Sequence, residues 1–441
     1  MAVGTGYRNG RARRRRRLAA SIVAAALTLV ILPGVKWSLS YRPAVAGCGE
    51  HHGLVVAADV DISPDFQRRA LIDQWNKEHP GTPATFVEIA RSTDDVRSQL
   101  AAALGSGSCA YDVVVADIAW IPEYVRRGLL APVDSSRLDD PGDFVPQTLE
   151  TGRWRGRQYA VPWYTDAGLL YVRRGDRAPS SWDDLLGRGY ATQLKDYEGL
   201  TVNTLEVIWN TQRRAVLSGP IDKVDERTAA IVLAGIDRLA TANPALARSR
   251  SYEEDGSFDA FADHATGLMR NWPYAFRQLI ADPRVGDGFQ VTTLPGTGVS
   301  VLGGWDLAVS AHSRHKADSR ALIDFLTGTD AQRRMFSCGG FTPSRTSAFE
   351  GVTPCPDPKY RPDELPSPQR FSEFANTLQA ALYHARLRSV TPYYAQFSET
   401  FRRCVLKVLG AHDRVPGARA PTPRELAHAL TAALNGRQGT C

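Results

Sequence analysis

The sequence predicts an α/β fold in which a mostly parallel sheet is flanked by helices. Three observations indicate it. Short apolar runs alternate with amphipathic segments over residues 54–117, which is typical of strands that alternate with helices in a parallel sheet. About 390 residues follow Cys48, enough for two lobes with separate cores. An apolar segment after a basic N-terminus predicts an additional helix ahead of both lobes.

The alternating section contains five predicted elements. The helix over 65–80 has Trp75 on its apolar face and ends at Pro80, and the helix over 92–107 starts with Ser, Thr and Asp and stops at glycine. In chain order the elements are a strand over 54–60, a helix over 65–80, a strand over 84–90, a helix over 92–107 and a strand over 111–117. Ligands of such sheets bind beyond the carboxyl ends of the strands, where Asp59, Asp61 and Asp117 fall.

The N-terminus resembles an export signal. Residues 1–17 carry seven arginines and no acid, and residues 18–35 form an uncharged apolar run of 18 residues. Such a run is near the lower limit for crossing a bilayer, and the positive-inside rule places the arginines in the cytoplasm. The arginines could also form a nucleic-acid-binding arm. Removing their seven charges from the formal net charge of +6 leaves about −1, so no basic surface remains for phosphate and we expect no nucleic-acid partner.

Two modes of membrane attachment remain open. VAGC (45–48) resembles a bacterial lipobox, but the linker 36–48 separates it from the apolar run and contains Lys36 and Arg42. Lipidation of Cys48 would also leave an odd number of cysteines. We therefore favour a retained signal or anchor helix over 18–35, with a lipid on Cys48 as the alternative. Either would tether the protein to the outer face of the cell membrane.

The six cysteines of an exported chain predict disulfides. Cys48 and Cys109 precede the first and third strands, which are neighbours in a doubly wound lobe, so we expect them to pair. The other expected pairs are Cys338 with Cys355, which would close a short loop, and Cys404 with Cys441, which would tie a helix to the C-terminus.

Eight blocks of the sequence carry a resemblance to known proteins. They are YDVVVADIAWIPEYVRRGLLAPVD (111–134), YAVPWYTDAGLLYVRR (159–174), SSWDDLL (180–186), EGLTVNTLEVIWN (198–210), GLMRNWPYAFRQL (267–279), SVLGGWDLAVSAHSRH (300–315), ALIDFLTGTDAQRRMFSCGGFTPSR (321–345) and RSVTPYYAQFSETF (388–401). In this order they resemble the sugar-binding extracellular solute-binding proteins of bacterial ABC importers, and the trehalose/maltose type most of all. The resemblance implies a two-lobed periplasmic-binding-protein fold with a hinge, each lobe a mostly parallel sheet flanked by helices. The expected lobes are 49–134 plus 299–342 for the N-lobe and 135–298 plus 343–441 for the C-lobe.

The expected ligand site combines aromatic rings with charged groups. Aromatic side chains can cover the apolar faces of a sugar, while carboxylates and guanidinium groups can satisfy its hydroxyls. The candidate ligand-binding residues are Ser92, Arg97, Asp117, Tyr164, Asp166, Trp272, Tyr274, Gly304, Trp305 and Arg388. Several alternatives stay open. Trp163 could line the cleft or lie in a core, Arg97 could bind the ligand or lie on a solvated helix face, and Glu206 could bind the ligand or form a salt bridge. Arg386 lies close enough to Arg388 to be an alternative to it.

The sequence therefore predicts a tethered extracytoplasmic receptor that captures a carbohydrate, such as trehalose or maltose, and delivers it to the permease subunits of an ABC transporter. We expect a monomer that is not an enzyme and has no cofactor and no metal site. The sequence contains no GxSxG, HExxH or P-loop motif. Two alternatives are a sugar-sensing receptor of the same fold and a glycoside hydrolase, which would also place carboxylates and aromatic rings in a cleft.

Overall fold

The structure is a computed structural model that describes residues 52–441. The basic segment 1–17, the apolar segment 18–35 and the linker 36–48 lie outside the described residues, and so does the predicted attachment to a membrane. Within 52–441, no helix combines the length and the apolar character needed to cross a bilayer.

Strands and helices alternate along the described chain. The strands are β1 (Leu54–Asp59), β2 (Ala84–Ala90), β3 (Val113–Asp117), β4 (Arg153–Trp154), β5 (Arg157–Gln158), β6 (Ala160–Ala167), β7 (Leu169–Arg173), β8 (Gly219–Pro220), β9 (Leu268–Asn271), β10 (Phe289–Thr293), β11 (Leu302–Val309), β12 (Thr342–Pro343) and β13 (Ser389–Val390).

The α-helices are α1 (Gln67–Glu78), α2 (Thr93–Gly105), α3 (Ile121–Arg126), α4 (Pro146–Leu149), α5 (Trp182–Arg188), α6 (Glu198–Thr211), α7 (Glu226–Ala240), α8 (Glu254–Ala262), α9 (Ala275–Ala281), α10 (Lys316–Leu326), α11 (Thr329–Gly339), α12 (Pro368–His384), α13 (Tyr394–His412) and α14 (Pro423–Leu434). Short 3₁₀ turns cover Ser135–Arg137, Pro141–Asp143, Glu150–Gly152, Pro244–Ser251, Ser347–Phe349 and Pro362–Glu364.

The five elements predicted over 54–117 are confirmed, with ends that differ by at most two residues. β3 is buried along its whole length, as expected for an apolar run in the interior of a sheet. α2 begins after Ser92 and has Asp94 and Asp95 in its first turn, where carboxylates interact favourably with the helix dipole.

The largest sheet has the strand order β12–β6–β11–β3–β1–β2. β1 is parallel to both β2 and β3, as predicted. β11, however, is antiparallel to β3 and to β6, and β12 is antiparallel to β6. The sheet is therefore parallel in its first section and mixed overall.

A second sheet has the order β10–β7–β9, and both of its pairings are antiparallel. The expectation of a mostly parallel sheet in each lobe is wrong for this one. Helix α9 connects β9 to β10, but β7 lies between those two strands and runs against both. Apolar periodicity indicates that a segment is a strand and not the direction of its neighbours, so the sequence pattern could not reveal this arrangement.

The chain passes from the large sheet to the second sheet at Gly168, between β6 and β7. β6 thus pairs with β11 and β12 of the large sheet, although it falls within the range 135–298 expected for the C-lobe. A Cβ at position 168 would lie 2.6–2.7 Å from side-chain atoms of Arg270 and Glu206, so a larger residue would displace this buried ion pair.

The core beneath the large sheet contains Trp163, which is 1% exposed and clusters with Trp75 and Leu307. Of the two interpretations left open by the sequence, the core position is therefore correct for Trp163. Its neighbour Tyr164 belongs to the same buried cluster, and the two ring centroids are 5.6 Å apart.

Two of the three predicted disulfides are confirmed. Cys338 at the end of α11 pairs with Cys355 at a Cα–Cα distance of 4.6 Å, and Cys404 in α13 pairs with Cys441 at 5.4 Å. Both distances lie in the usual range for a disulfide. The predicted pairing of Cys109 involves Cys48, which lies outside the described residues.

Candidate ligand-binding site

A cavity lies between the end of the large sheet and the segments that lead into α6, α8 and α9. β1 and β3 are parallel, so their last residues, Asp59 and Asp117, meet at the same edge of the sheet. Asp117 lies opposite Trp305 in β11, and Trp305 lies opposite Tyr164 in β6. These four side chains form the sheet wall of the cavity.

The structure brings most of the predicted site residues together. Those that line the cavity are Ser92, Asp117, Tyr164, Asp166, Trp272, Tyr274, Gly304, Trp305 and Arg388. The Ser92 hydroxyl makes no capping hydrogen bond to α2, although Ser92 occupies the N-cap position, so this hydroxyl is available to the cavity.

Arg97 is the predicted residue that does not line the cavity. Its guanidinium donates two hydrogen bonds of 2.8 Å to the buried Glu123 carboxylate. In this fork-to-fork geometry, the guanidinium nitrogens that could bind a ligand are bonded to Glu123 instead. Arg97 therefore joins α2 to α3, a role that the sequence pattern did not indicate.

Trp272 is held in place from several sides. The Arg270 guanidinium stacks on its indole ring at 3.9 Å from the centroid, and the indole Nε1 donates to Glu254 Oε1 at 3.3 Å. The hydroxyl of Tyr171 donates to its carbonyl at 2.8 Å. As predicted, Pro273 stands in a bend between β9 and α9, and the bend presents the Trp272 ring to the cavity.

Arg388 bridges the two sides of the cavity. Its Nη2 lies 2.6 Å from Asp117 Oδ1, and its Nη1 lies 2.9 Å from Glu198 Oε1. The Asp117 carboxylate comes from the large sheet and Glu198 begins α6. Arg386 is exposed and does not line the cavity, whereas Arg388 lines it and has its terminal nitrogens bonded to protein carboxylates.

Asp59 belongs to a second buried ionic group. Arg68, which is fully buried, lies 2.6 Å from Asp59 Oδ1 and 3.4 Å from Asp61 Oδ1. Burial raises the pKa of Asp59, and the Arg68 guanidinium offsets part of that effect. Asp61 accepts hydrogen bonds from Ser63 and from the backbone of α1, so it anchors the helix rather than facing the cavity.

Asp166 is the least satisfied carboxyl group of the cavity. Among residues 52–441, no hydrogen bond or ion pair of its side chain is present. Burial raises the pKa of Asp166 well above the usual range, and the neighbouring Arg270 guanidinium offsets only part of that effect. Arg270 itself forms a buried ion pair with Glu206, at 2.6 Å between Nη2 and Oε1, so the salt-bridge interpretation of Glu206 is correct.

Sequence reasoning missed the acidic and aromatic residues that enter from the second side. Tyr197 and Glu198 stand at the start of α6, and Glu253, Glu254 and Asp255 stand at the start of α8; all of them line the cavity. For the residues at the start of α8, the signal was the run YEED (252–255), which is equally typical of the acidic first turn of an ordinary helix. The described part of the chain contains no group of three or more His, Cys, Asp or Glu side chains arranged for a metal ion.

A cavity between two α/β lobes, walled by aromatic rings and carboxyl groups, defines a two-lobed ligand-binding protein. The family model for the bacterial extracellular solute-binding proteins matches residues 64–333. The chain therefore belongs to this family.

Comparisons with known proteins agree with this assignment. A Deinococcus radiodurans protein described as a probable ABC transporter-binding protein is 26% identical over 369 residues, which are 76% of this chain and 84% of that protein. The fold is similar to maltose-bound MalE3 of T. maritima, with a TM-score of 0.71, 23% identity and coverage of 87% of this chain and 99% of the other. The GacH receptor of Streptomyces glaucescens, solved unliganded and with acarbose, gives a TM-score of 0.68 at 22% identity, with 88% and 100% covered. At these identities the structural likeness shows the two-lobed periplasmic-binding-protein fold.

Proposed function

We propose that the protein is a membrane-tethered extracytoplasmic receptor that captures a sugar, such as trehalose or maltose, and delivers it to an ABC permease. The observation that carries the proposal is the joint position of Trp272, Tyr164 and Asp166 in the lining of one cavity. An aromatic ring can cover the apolar face of a sugar, and a carboxylate can accept hydrogen bonds from its hydroxyls.

The comparisons support the proposal at the level of class. The structural neighbours include proteins solved with maltose and with acarbose, and the Deinococcus relative is described as an ABC transporter-binding protein. In the proposed cycle, the ligand joins the two walls of the cavity and stabilises closure of the lobes about a hinge. The closed form is then the one that the permease recognises.

A thermal-shift screen of the full-length chain in detergent tests the sugar-binding step. The panel contains trehalose, maltose and unrelated disaccharides. A ligand at a hundred times its dissociation constant adds about 2.7 kcal/mol to the free energy of unfolding. Assay of the same mixtures for released reducing sugar separates binding from hydrolysis. A panel without any stabilising sugar, or hydrolysis of the sugar that stabilises, would contradict the proposal.

Transport and tethering require separate measurements. Deletion of the gene should abolish uptake of the stabilising sugar into the cell, whereas unchanged uptake with altered gene expression would indicate a sensor. Mass spectrometry of the native protein should find residues 18–35 still attached. A mature N-terminus at a diacylated Cys48 would replace the proposed helix by a lipid anchor.

A further inference from the structure

Carboxyl groups greatly outnumber basic groups on the cavity wall. Seven Asp or Glu residues line the cavity, against two arginines, Arg91 and Arg388. A binding site for a neutral sugar does not require this excess, because a hydroxyl rim is satisfied equally well by amides, hydroxyls and backbone groups. The basic partner of each acid therefore decides how much negative charge is left for a ligand.

Five of the seven acids have a basic partner within the described chain. The ion pairs are Asp59 with Arg68, Asp117 and Glu198 with Arg388, Glu253 with Lys195, and Asp255 with Arg91. Among residues 52–441, Asp166 and Glu254 form no ion pair. The cavity wall thus contains two carboxyl groups without an ion-pair partner. Burial raises the pKa of both groups, and the nearby Arg270 guanidinium, which stacks on Trp272, offsets part of that effect.

These two carboxyl groups lie next to the same aromatic ring. Glu254 accepts hydrogen bonds from Trp272 Nε1 at 3.3 Å and from the Tyr197 hydroxyl at 2.9 Å. On the sheet side, a Cβ built on Gly303 would lie 3.2 Å both from Asp166 Cβ and from Trp272 Cζ3. Asp166, Trp272 and Glu254 therefore form one continuous part of the wall, which we call the acidic aromatic patch.

The chemistry of this patch fits a cation. A carboxylate removed from water is costly unless it is paired, and an ammonium group can form charge-assisted hydrogen bonds with two carboxylates at once. An aromatic ring adds attraction through its electron-rich face. A neutral hydroxyl offers one hydrogen bond and no compensating charge.

We propose that the ligand is an amino-substituted sugar whose ammonium group binds to the acidic aromatic patch of Asp166, Glu254 and Trp272. This inference rests on the proposed sugar-binding function and names the substrate class more closely. The rest of the sugar would contact Tyr164 and Trp305 on the sheet wall.

Calorimetric titration of the full-length chain in detergent with matched sugar pairs tests the inference. The pairs are trehalose with 2-amino-2-deoxytrehalose, and N,N′-diacetylchitobiose with its deacetylated form. Spermidine serves as an amine without a sugar. We expect the amino member of a pair to bind about tenfold more tightly or better, with an advantage that shrinks as salt increases.

Two variants locate the effect. Asp166→Asn and Glu254→Gln should each reduce the advantage of the amino sugar to about threefold or less, because each removes one carboxylate that the ammonium group would bind. Asp330→Asn is the matched control, since Asp330 is fully exposed and lies outside the cavity; it should keep the full advantage. Circular dichroism melts identify a variant that fails to fold, and the other variant then shows whether the amino-sugar advantage depends on the patch.

The outcomes separate this inference from the proposed function. Equal or tighter binding of the neutral sugars would overturn the amino-sugar assignment and leave the sugar receptor intact. An advantage that survives in both variants would overturn the assignment to this patch. Binding of spermidine with no binding of any sugar, or no binding of any probe by a cooperatively melting protein, would overturn both.

Discussion

Trp272 is the residue on which the proposed sugar contact depends most. Arg270 covers one face of its ring, and the ring is half-buried in the cavity wall. Trp272→Ala should lower ligand affinity by about 1.5–3 kcal/mol, or about tenfold to a hundredfold, because both stacking and apolar contact are lost. Calorimetric titration measures the change. The control is Tyr383→Ala, which removes an aromatic ring that is 77% exposed. Unchanged affinity in Trp272→Ala would show that the ring only packs against Arg270.

Asp306 predicts a pH dependence of stability. It is fully buried in β11, and the Thr151 hydroxyl lies 3.1 and 2.9 Å from its carboxyl oxygens. Burial raises its pKa from 3.8 to about 8, and the hydrogen bond from Thr151 offsets part of this. Since the folded pKa exceeds the unfolded one, the folded chain holds an extra proton between about pH 4 and pH 8. This contribution to stability is complete below pH 4 and is lost as the pH rises through 8.

The variant Asp306→Asn isolates that contribution. The free energy of unfolding of the parent should fall relative to the variant by up to about 1.4 kcal/mol per pH unit within this window. Denaturant unfolding of both proteins at pH 5, 6, 7 and 8 measures the difference. A difference that stays constant across these four pH values would show that Asp306 does not titrate between them.

At the residue scale, the sequence indicated one side of the candidate site better than the other. Tyr164, Asp166 and Trp305 stand at unusual positions in strand-like runs, where a charge or a large ring needs an explanation. Glu198 and Glu254 stand in the first turns of helices, where acids are common without any ligand. Arg97 shows the opposite error, because an arginine on a helix face gives no indication of the buried carboxylate that will bind it.

The disulfide between α11 and the proline-rich segment that follows is a constraint at the scale of elements. Cys338 and Cys355 are separated by 17 positions. Removing the bond with Cys338→Ala and Cys355→Ala together should cost about 3 kcal/mol, because the unfolded chain regains the entropy of a loop of that length. Denaturant unfolding of the double variant measures the loss.

The same change at Cys404 and Cys441, which are 37 positions apart, should cost about 4 kcal/mol because the loop is longer. If the first disulfide proved to be worth more than the second, the loop-length argument would be contradicted.

Elements were predictable where local pattern determines them. The apolar runs and helix caps over residues 54–117 specify type and length, and the parallel pairing of β1 with β2 and β3 follows from the intervening helices. The direction of β7, β9 and β10 depends on contacts between segments that are about a hundred residues apart, such as Tyr171 opposite Met269. Local periodicity does not indicate which distant segments pair. The existence of a second sheet could therefore be predicted, whereas the antiparallel direction of its strands could not.

For the whole molecule, closure of the cavity depends on contacts that cross from the large sheet to the opposite wall. Arg388 provides one such contact: its side chain is 4% exposed and it joins Asp117 of β3 to Glu198 of α6. Tyr394 and Ser398 also donate to Glu198, at 2.6 and 2.7 Å, so the α6 side of the bridge is fixed. The guanidinium therefore compensates two carboxylates that would otherwise repel each other across the cavity.

Removal of this bridge should both destabilise and open the protein. In Arg388→Met, Asp117 and Glu198 keep their charges without a cation between them, and breaking a buried ion pair in this way costs about 3–5 kcal/mol. Separation of the two walls would return both carboxylates to water, so the ligand-free variant should have a larger radius of gyration in small-angle X-ray scattering and a lower melting temperature. Arg386→Met is the matched control, because Arg386 is exposed. If Arg388→Met scatters like the parent but melts earlier, the bridge stabilises one wall alone, and closure must depend on the ligand rather than on this arginine.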